Sequence, residues 1–215
     1  MIVRAADRAR TVADGRESRH SFAWGGAYDP ANTHFGLLLA CNEDRLAAGA
    51  GFDPHPHRDV EVITWVLSGA VEHADDAGHR GVARPGVVQR MSAGDGVRHS
   101  EHALGGPAHY VQMWLRPADT GPPLYDTVEV AGFAELTPLR QPEAVLHAGR
   151  VVGAVTLAPA AYLHLLVVDG TVAVGSDTLG PGDALRLVDA SVTEIITDSG
   201  AEVLAWRMHK SLTSG

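Results

Sequence analysis

The sequence predicts an all-β fold with little helix, and three observations lead to this prediction. The 24 glycines and 12 prolines of the 215-residue chain interrupt it at short intervals. Short apolar runs of strand length lie between these interruptions. In addition, no long segment has the 3.6-residue apolar period of an amphipathic helix. The 45% hydrophobic content is enough for one large core or two small ones.

Five apolar runs between these interruptions are predicted to be β-strands. They are residues 60–67, 108–115, 163–168, 192–197 and 202–208. Residues 126–136 are instead a candidate for a short helix or an irregular segment. The strands fall in both halves of the chain, so both halves are expected to be β-rich.

A weak internal repeat indicates that the chain contains a duplicated unit. Residues 65–72, with the sequence WVLSGAVE, resemble residues 166–173, with the sequence LVVDGTVA, and both read as strand, turn, strand. A matching turn follows each copy, at Gly94 in the first half and at Gly182 in the second, where glycine tolerates a positive φ. The repeat therefore predicts two stacked barrels or sandwiches.

Two pairs of metal-type side chains form the most informative motif of the chain. His55 and His57 make the first pair, and His99 and Glu101 make the second, each with the spacing i, i+2. Residues two apart in a strand point to the same side, and Pro56 favours extended backbone over helix. Two such strands side by side could close on one ion. Three imidazoles and a carboxylate without a thiolate suit one divalent Fe, Mn, Co, Ni, Cu or Zn ion.

The other histidines and Glu61 have several possible interpretations. By alternation Glu61 has the same parity as His55 and His57, so local geometry leaves it open as the carboxylate ligand. His73 and His109 lie beside strand-like runs, where they could orient a ligand imidazole. The remaining histidines in this group are expected to be surface or locally hydrogen-bonded side chains: His20, His34, His79, His102, His147 and His209.

The two halves differ in their metal-type side chains. We expect residues 1–120 to form an N-terminal metal-binding domain and residues 142–215 to form a C-terminal domain without metal ligands, since only His164 lies near the matching strand there. Residues 121–141 are predicted to be the linker because this proline-containing stretch is poor in signals of regular structure. The second domain would then close or shape the site in the first.

Charge and cysteine content disfavour several classes of protein. The formal charge is −9, from 17 basic and 26 acidic residues, and no basic run could follow a phosphate backbone, so direct nucleic-acid binding is not expected. Cys41 has no second cysteine to pair with, which favours a reducing compartment such as the cytoplasm. No apolar run approaches the roughly 20 residues of a membrane helix, and residues 1–15 lack a signal-peptide core.

The motifs resemble those of a known family. Gly49, His55, His57, Glu61 and Gly69 look like the first motif of the cupin superfamily, and Gly96 with His99 looks like the core of the second. A finer resemblance is to the pirin family of bicupins, carried by HPHRD at 55–59, VEH at 71–73, MSAG at 91–94 and GVRHSE at 96–101. This resemblance is strong over the N-terminal half and weaker beyond it. It implies two stacked cupin β-barrels of the jelly-roll type.

The resemblance also bears on the choice of carboxylate ligand. Ordinary cupins use the position of Glu61, whereas pirin-like proteins use the position two residues after the last histidine, which is Glu101 here. The expected ligands are therefore His55, His57, His99 and Glu101, with Fe(II) as the favoured ion. Glu61 would then be a buried hydrogen-bond partner.

Pirin-like proteins imply two different functions for this chain. Some of them oxidise flavonols such as quercetin with dioxygen and release carbon monoxide, whereas others are metal-dependent redox sensors or co-regulators that act through a protein partner. We expect the first function, in a monomer, with Glu101 serving as general base as well as ligand. Phe22, Phe35 and Trp114 could line an apolar mouth for a flat substrate, although a core position is expected for each.

Overall fold

The computed structural model describes residues 1–212 and is built almost entirely of β-strands, which confirms the predicted class. Residues 213–215 of the predicted C-terminal domain lie outside the described residues. Helical structure in the described part is limited to two 3₁₀ turns, Ala5–Asp7 and Pro30–Asn32, and no helix there is long and apolar enough to cross a membrane. The strands are β1 (Ile2–Val3), β2 (Ala9–Ala13), β3 (Arg16–His20), β4 (Leu38–Leu46), β5 (Gly51–His57), β6 (Glu61–Ser68), β7 (Val71–Asp75), β8 (Arg80–Ala83), β9 (Val87–Ser92), β10 (Val97–Ala103), β11 (Ala108–Leu115), β12 (Leu124–Glu129), β13 (Phe133–Leu136), β14 (Ala144–Leu157), β15 (Ala160–Asp169), β16 (Val172–Val174), β17 (Asp177–Leu179), β18 (Ala184–Ala190) and β19 (Thr193–Met208).

The first half of the chain forms a barrel from two facing antiparallel sheets. One sheet has seven strands in the order β12-β9-β6-β11-β4-β3-β2, and the other has four in the order β5-β10-β7-β8. Apolar side chains of both sheets meet inside, among them Val66 and Tyr110 from the larger sheet and Val71 and Ala103 from the smaller. Their contact closes one end of the barrel interior.

The second half of the chain forms a single eight-stranded sheet. Its main path is β1-β18-β15-β19-β14-β13, and β16 and β17 pair beside β19. The sheet encloses its own apolar cluster, which includes Leu163, Leu165, Ile195 and Val203. Because β1 pairs with β18, the beginning of the chain belongs to the sheet of the second half.

The central strands of the seven-stranded sheet, β4, β6, β9 and β11, are buried on both faces, whereas the edge strands β2 and β12 are not. Along β6, Ile63 and Trp65 point to the second half, whereas Thr64 and Val66 alternate toward the interior of the first barrel. The cluster between the halves combines these side chains with others from the second sheet, such as Trp206. The two barrels are therefore stacked through a shared core, as the repeat predicted.

The two copies of the repeat make the same close turn. Gly69 and Gly170 have φ values of 74° and 76°. A Cβ atom would lie 2.1 Å from the carbonyl oxygen of Pro107 at the first position and 2.6 Å from that of Gly200 at the second. Glycine is required at both positions because another residue would combine an unfavourable φ with a backbone clash.

The observed strands agree with most of the predicted ones and correct two details. Residues 192–197 and 202–208 belong to one long strand, β19, and are not separate strands. The prediction of a short helix or irregular segment at residues 126–136 is wrong, because β12 and β13 occupy most of this stretch. β12 pairs with β9 in the first half and β13 pairs with β14 in the second. The predicted linker, residues 121–141, thus contributes a strand to each half.

His164 lies fully buried beside the shared core. Its ring centroid is 6.0 Å from that of Phe22 and 6.4 Å from that of Phe35, and neither ring nitrogen has a hydrogen-bond partner in the described chain. Burial, followed by the charges of Arg186 and Arg8, lowers the pKa of His164 to about 3. The ring is therefore neutral in the folded protein over the whole physiological pH range.

The neutral His164 should make the protein sensitive to acid. Between pH 6.5 and pH 3 the unfolded chain binds a proton that the folded chain does not, so stability falls as the pH falls. His164→Leu removes this contribution, and from pH 7 to pH 5 the variant should gain about 2 kcal/mol in unfolding free energy relative to the parent. Urea unfolding at both pH values measures the difference. The control is His209→Leu at an exposed site, which should follow the parent. Parallel pH dependence of His164→Leu and the parent would contradict the expectation.

Candidate metal centre

Three histidines converge inside the first barrel. Their strands, β5 and β10, are antiparallel neighbours, with His99 directly opposite His55. The ligand nitrogens of His55, His57 and His99 lie within 4.8 Å of one another. The predicted arrangement of the two pairs on adjacent strands is thus confirmed, and alternation along each strand brings the three imidazoles to one side.

Hydrogen bonds outside the group determine the tautomers of these rings. His55 Nδ1 donates to the carbonyl oxygen of Asp53 at 2.8 Å, so Nε2 is the nitrogen of this ring that is available to a metal ion. His73 Nε2 lies 3.3 Å from the carboxylate Oδ2 of Asp75, to which it donates. His73 Nδ1 then accepts from His99 Nδ1 at 3.2 Å. The lone pair of the His99 ring is consequently on Nε2.

The donor atoms fit a divalent metal ion. Nε2 of His55 and Nε2 of His99 are 3.1 Å apart, and two lone pairs at that distance repel each other unless a cation lies near both. Burial, with added repulsion from the neighbouring imidazoles, lowers the pKa of His57 to about 4 and that of His99 to about 3. Both rings are therefore neutral near pH 7, the form that coordinates metals.

Asp75 anchors the chain of hydrogen bonds that reaches His99. Its carboxylate accepts from the backbone and the ring of His79, at 2.8 and 2.9 Å, and from His73. Burial alone would raise the pKa of Asp75, but these hydrogen bonds outweigh it and lower the pKa below its ordinary value. A charged Asp75 holds His73, and His73 holds His99. His73 thus orients a candidate ligand as predicted, and His79 is locally hydrogen-bonded as expected, whereas Asp75 was not among the predicted site residues.

Glu101 reaches across the barrel from β10 to the seven-stranded sheet. Its side chain is buried, with Oε1 accepting from Gln89 Nε2 at 3.2 Å and Oε2 accepting from Gln112 Nε2 at 2.8 Å. The Glu101 carboxylate lies within 4.8 Å of the ligand atoms of His73 and His99, and it forms a group with them that does not include His55 and His57. The structure therefore places Glu101 beside the three-histidine group, with both oxygens held by amides.

Gln89 and Gln112, which hold Glu101, belong to a row of polar residues across the seven-stranded sheet. The row runs through neighbouring strands at matched register and consists of His20, Asn42, Gln112, Thr64 and Gln89. Trp114 Nε1 donates to Gln112 Oε1 at 2.9 Å and Tyr125 donates to Gln89 Oε1 at 3.3 Å, so both amides are oriented. This row was not predicted from the sequence, although polar residues at alternate positions of apolar strands were a usable signal.

Glu61 and His109 lie outside the candidate metal centre. Glu61 Oε2 accepts from the backbone nitrogen of Arg140 at 3.1 Å, and burial raises the pKa of the Glu61 carboxyl. Glu61 belongs to neither group of potential ligands among the described residues. His109 bonds Glu43 at 2.9 Å and does not orient a candidate ligand, so that interpretation of His109 was wrong.

A cavity of about 210 Å³ adjoins the histidines. His55 and Glu101 line it together with three aromatic rings, Trp24, Phe52 and Trp114. The rings of Trp24 and Trp114 meet edge to face, with centroids 5.3 Å apart. Of the three aromatic residues considered for a mouth, only Trp114 lines this cavity, and Phe22 and Phe35 pack with the core between the halves.

The fold and the site together define a class of protein, a bicupin with a histidine-rich candidate metal centre in its first barrel. The pirin family model matches residues 3–115, and the chain belongs to this family. A Mycobacterium tuberculosis protein named "Putative quercetin 2,3-dioxygenase" is 45% identical, with 98% of this chain and 96% of that protein covered.

Solved structures agree with this assignment. The crystal structure of a bacterial pirin from Escherichia coli in complex with nickel(II) superposes with a TM-score of 0.89 at 30% identity, covering 98% of this chain and all of the other. A quercetin 2,3-dioxygenase structure from Acinetobacter baumannii has a TM-score of 0.73 at 22% identity, covering 94% of this chain and 84% of the other, and supports the fold alone. The predicted bicupin fold is confirmed.

The two glutamates should differ in their effect on metal binding. We expect Glu101→Gln to weaken binding of Fe(II) or Ni(II) by about 10-fold or more, because the neutral amide is a poorer ligand for a divalent ion. Glu61→Gln should stay within about twofold of the parent, since its oxygen can still accept from Arg140. Competition with a chromophoric chelator gives both affinities. The reverse ranking would transfer the carboxylate ligand to Glu61.

Asp75→Asn should weaken metal binding without touching a ligand. The amide can no longer hold His73 by charge, so His99 loses the partner that directs its Nε2 inward, and we expect affinity to fall by about 10-fold. Asp177→Asn, at an exposed position of the second half, is the control. The same chelator competition measures both variants, and equal affinity in the two would show that the hydrogen-bond chain has no influence on the metal.

Proposed function

We propose that this protein is a metal-dependent dioxygenase that cleaves flavonols such as quercetin with O2 and releases carbon monoxide. One observation carries the proposal: Nε2 of His55 lies 3.1 Å from Nε2 of His99, and His55 also lines a cavity with aromatic walls. Open metal positions beside an aromatic cavity suit oxidation of a flat substrate. Relatives named as quercetin 2,3-dioxygenases or putative quercetin 2,3-dioxygenases support the same reaction class.

The proposed metal ligands are His55, His57, His99 and Glu101. Fe(II) is our first choice for the ion and the cytoplasm for the compartment, and the nickel(II) in the Escherichia coli relative is a reason to test other divalent ions. When bound, the ion would supply Lewis acidity that favours the deprotonated form of a substrate hydroxyl. In coordinating it, Glu101 would replace at least part of its present contact with Gln89 or Gln112.

Glu101 is also the proposed acceptor of the substrate hydroxyl proton. Each carboxylate oxygen accepts one amide N–H and retains a second lone pair for a substrate hydroxyl. Trp114 and Tyr125 orient those amides from behind, so the carboxylate would return to the same place after each turnover. The chain thus provides a fixed proton acceptor at the edge of the cavity.

The aromatic walls are proposed to hold the flat ring system and exclude water. Trp114 contacts both the histidines and the aromatic wall, since its ring centroid is 5.0 Å from that of His57 and 5.3 Å from that of Trp24. Phe52 lies on the same cavity, near His55 at 6.0 Å between centroids. A planar substrate between these rings would be desolvated next to the metal centre.

Oxygen uptake tests the proposal directly. Protein purified without oxygen is reconstituted separately with Fe(II), Mn(II), Co(II), Ni(II) and Cu(II), and oxygen consumption and carbon monoxide are measured with quercetin. We expect turnover with at least one ion and a loss of about 100-fold or more in His99→Ala, because removal of a ligand abolishes the metal contribution. His209→Ala, at an exposed site, should match the parent. Tight metal binding without turnover would favour a redox sensor that acts through a protein partner.

A further inference from the structure

Asp44 is a buried acid on the wall of the same cavity. It lies on β4, is 5% exposed, and stands between Ser18 of β3 and Tyr110 of β11 in the cross-strand register. The Ser18 hydroxyl donates to Asp44 Oδ1. Oδ2 has no hydrogen-bond partner within residues 1–212, and neither does the buried hydroxyl of Tyr110. One face of the carboxyl is therefore left for something that enters the cavity.

Asp44 forms no salt bridge within residues 1–212, and the charge of Arg8 offsets only part of the effect of its burial. Arg16 lines the same cavity, but its guanidinium donates to the carbonyl oxygen of Gly51 at 3.0 Å and pairs with Asp14 at 3.4 Å. Burial, opposed by the Ser18 hydrogen bond, raises the pKa of Asp44 to about 7. Near neutral pH the group exists in both forms, so it can donate a hydrogen bond to a ligand oxygen or accept one from a ligand hydroxyl.

The position of Asp44 is costly for the fold alone. A buried carboxyl without a complete set of partners destabilises the folded state, and an apolar residue would suit this strand position better. Buried acids with shifted titration at a cavity wall are typical of functional sites. Asp44 is also separate from the ligand groups, since it is on the seven-stranded sheet and the histidines are on the four-stranded sheet.

We propose that Asp44, held by Ser18, binds a second hydroxyl group of the substrate, distinct from the one directed at the metal centre. Asp44 lines the same cavity as His55 and Glu101, so one planar molecule can contact both regions. The site thereby selects flavonols that carry hydroxyl groups on further ring positions. This inference rests on the proposed function and adds to it the class of substrate.

The contact between Asp44 and the second hydroxyl group is tested by varying both the protein and the flavonol. Quercetin, with several ring hydroxyls, and 3-hydroxyflavone, with only the metal-directed hydroxyl, are titrated without oxygen into metal-loaded parent, Asp44→Ala and Asp44→Asn. Quenching of tryptophan fluorescence gives Kd, and oxygen uptake gives kcat and KM. We expect Asp44→Ala to weaken quercetin binding about 10-fold and to leave 3-hydroxyflavone within twofold. Asp44→Asn should lie between the parent and Asp44→Ala for quercetin.

Controls separate this contact from a general loss of structure. Asp198→Asn, at an exposed position of the second half, should match the parent with both ligands. Metal content and thermal melting are measured for every variant, and if Asp44→Ala does not fold, Asp44→Asn provides the same comparison. Equal losses for both ligands, or no loss for either, would overturn the assignment of Asp44.

The outcomes also distinguish this inference from the proposed function. Parent protein that binds quercetin through Asp44 but consumes no oxygen would support the binding site and contradict the dioxygenase. Parent protein that turns over both flavonols with no dependence on Asp44 would support the dioxygenase and contradict the binding site. Failure of the parent to bind either flavonol would overturn both.

Discussion

The central strands of the seven-stranded sheet, β4, β6, β9 and β11, are buried on both faces, and the rest of the structure depends on this constraint. One face packs with the second half through Ile63, Trp65 and their partners, and the opposite face supplies the inner wall of the first barrel. Each strand must therefore satisfy two environments with alternate residues. A shift of one residue in any strand would exchange the apolar contact face with the polar row, so the register of the site and the stacking of the barrels are determined together.

The chemistry of the site is divided between the two sheets of the first barrel. The four-stranded sheet contributes the imidazoles and their chain of hydrogen bonds to Asp75, whereas the seven-stranded sheet contributes Gln89, Gln112 and Asp44. Glu101 connects the two sheets, because its backbone lies in β10 of the smaller sheet and its carboxylate accepts hydrogen bonds from Gln89 and Gln112 of the larger sheet. Within residues 1–212 neither group of candidate ligands includes a residue of the second half, whose apolar side chains pack against the larger sheet from behind.

Local patterns in the sequence predicted the parts of the site that depend on local geometry. His55 and His57, or His99 and Glu101, share a face because strand alternation has a period of two, and the turns at Gly94 and Gly182 have the positive φ that glycine tolerates. Alternating polar residues signalled a polar row, but the contact of its amides with Glu101 and the free oxygen of Asp44 could not be predicted in this way. They depend on pairing between strands that are distant in the chain, and β12 and β13 likewise become strands only through their partners β9 and β14.

The pairing of β1 with β18 has a consequence for biosynthesis. β1 leaves the ribosome before β2–β19, but β18 lies more than 180 residues further along the chain, and Ile2 is opposite Leu185. The sheet of the second half therefore cannot be completed until most of the protein has been made. Contacts of such long range slow folding. During synthesis β1 has no β18 to pair with until residue 185 has been made. Its length of two residues then limits premature pairing with another strand edge.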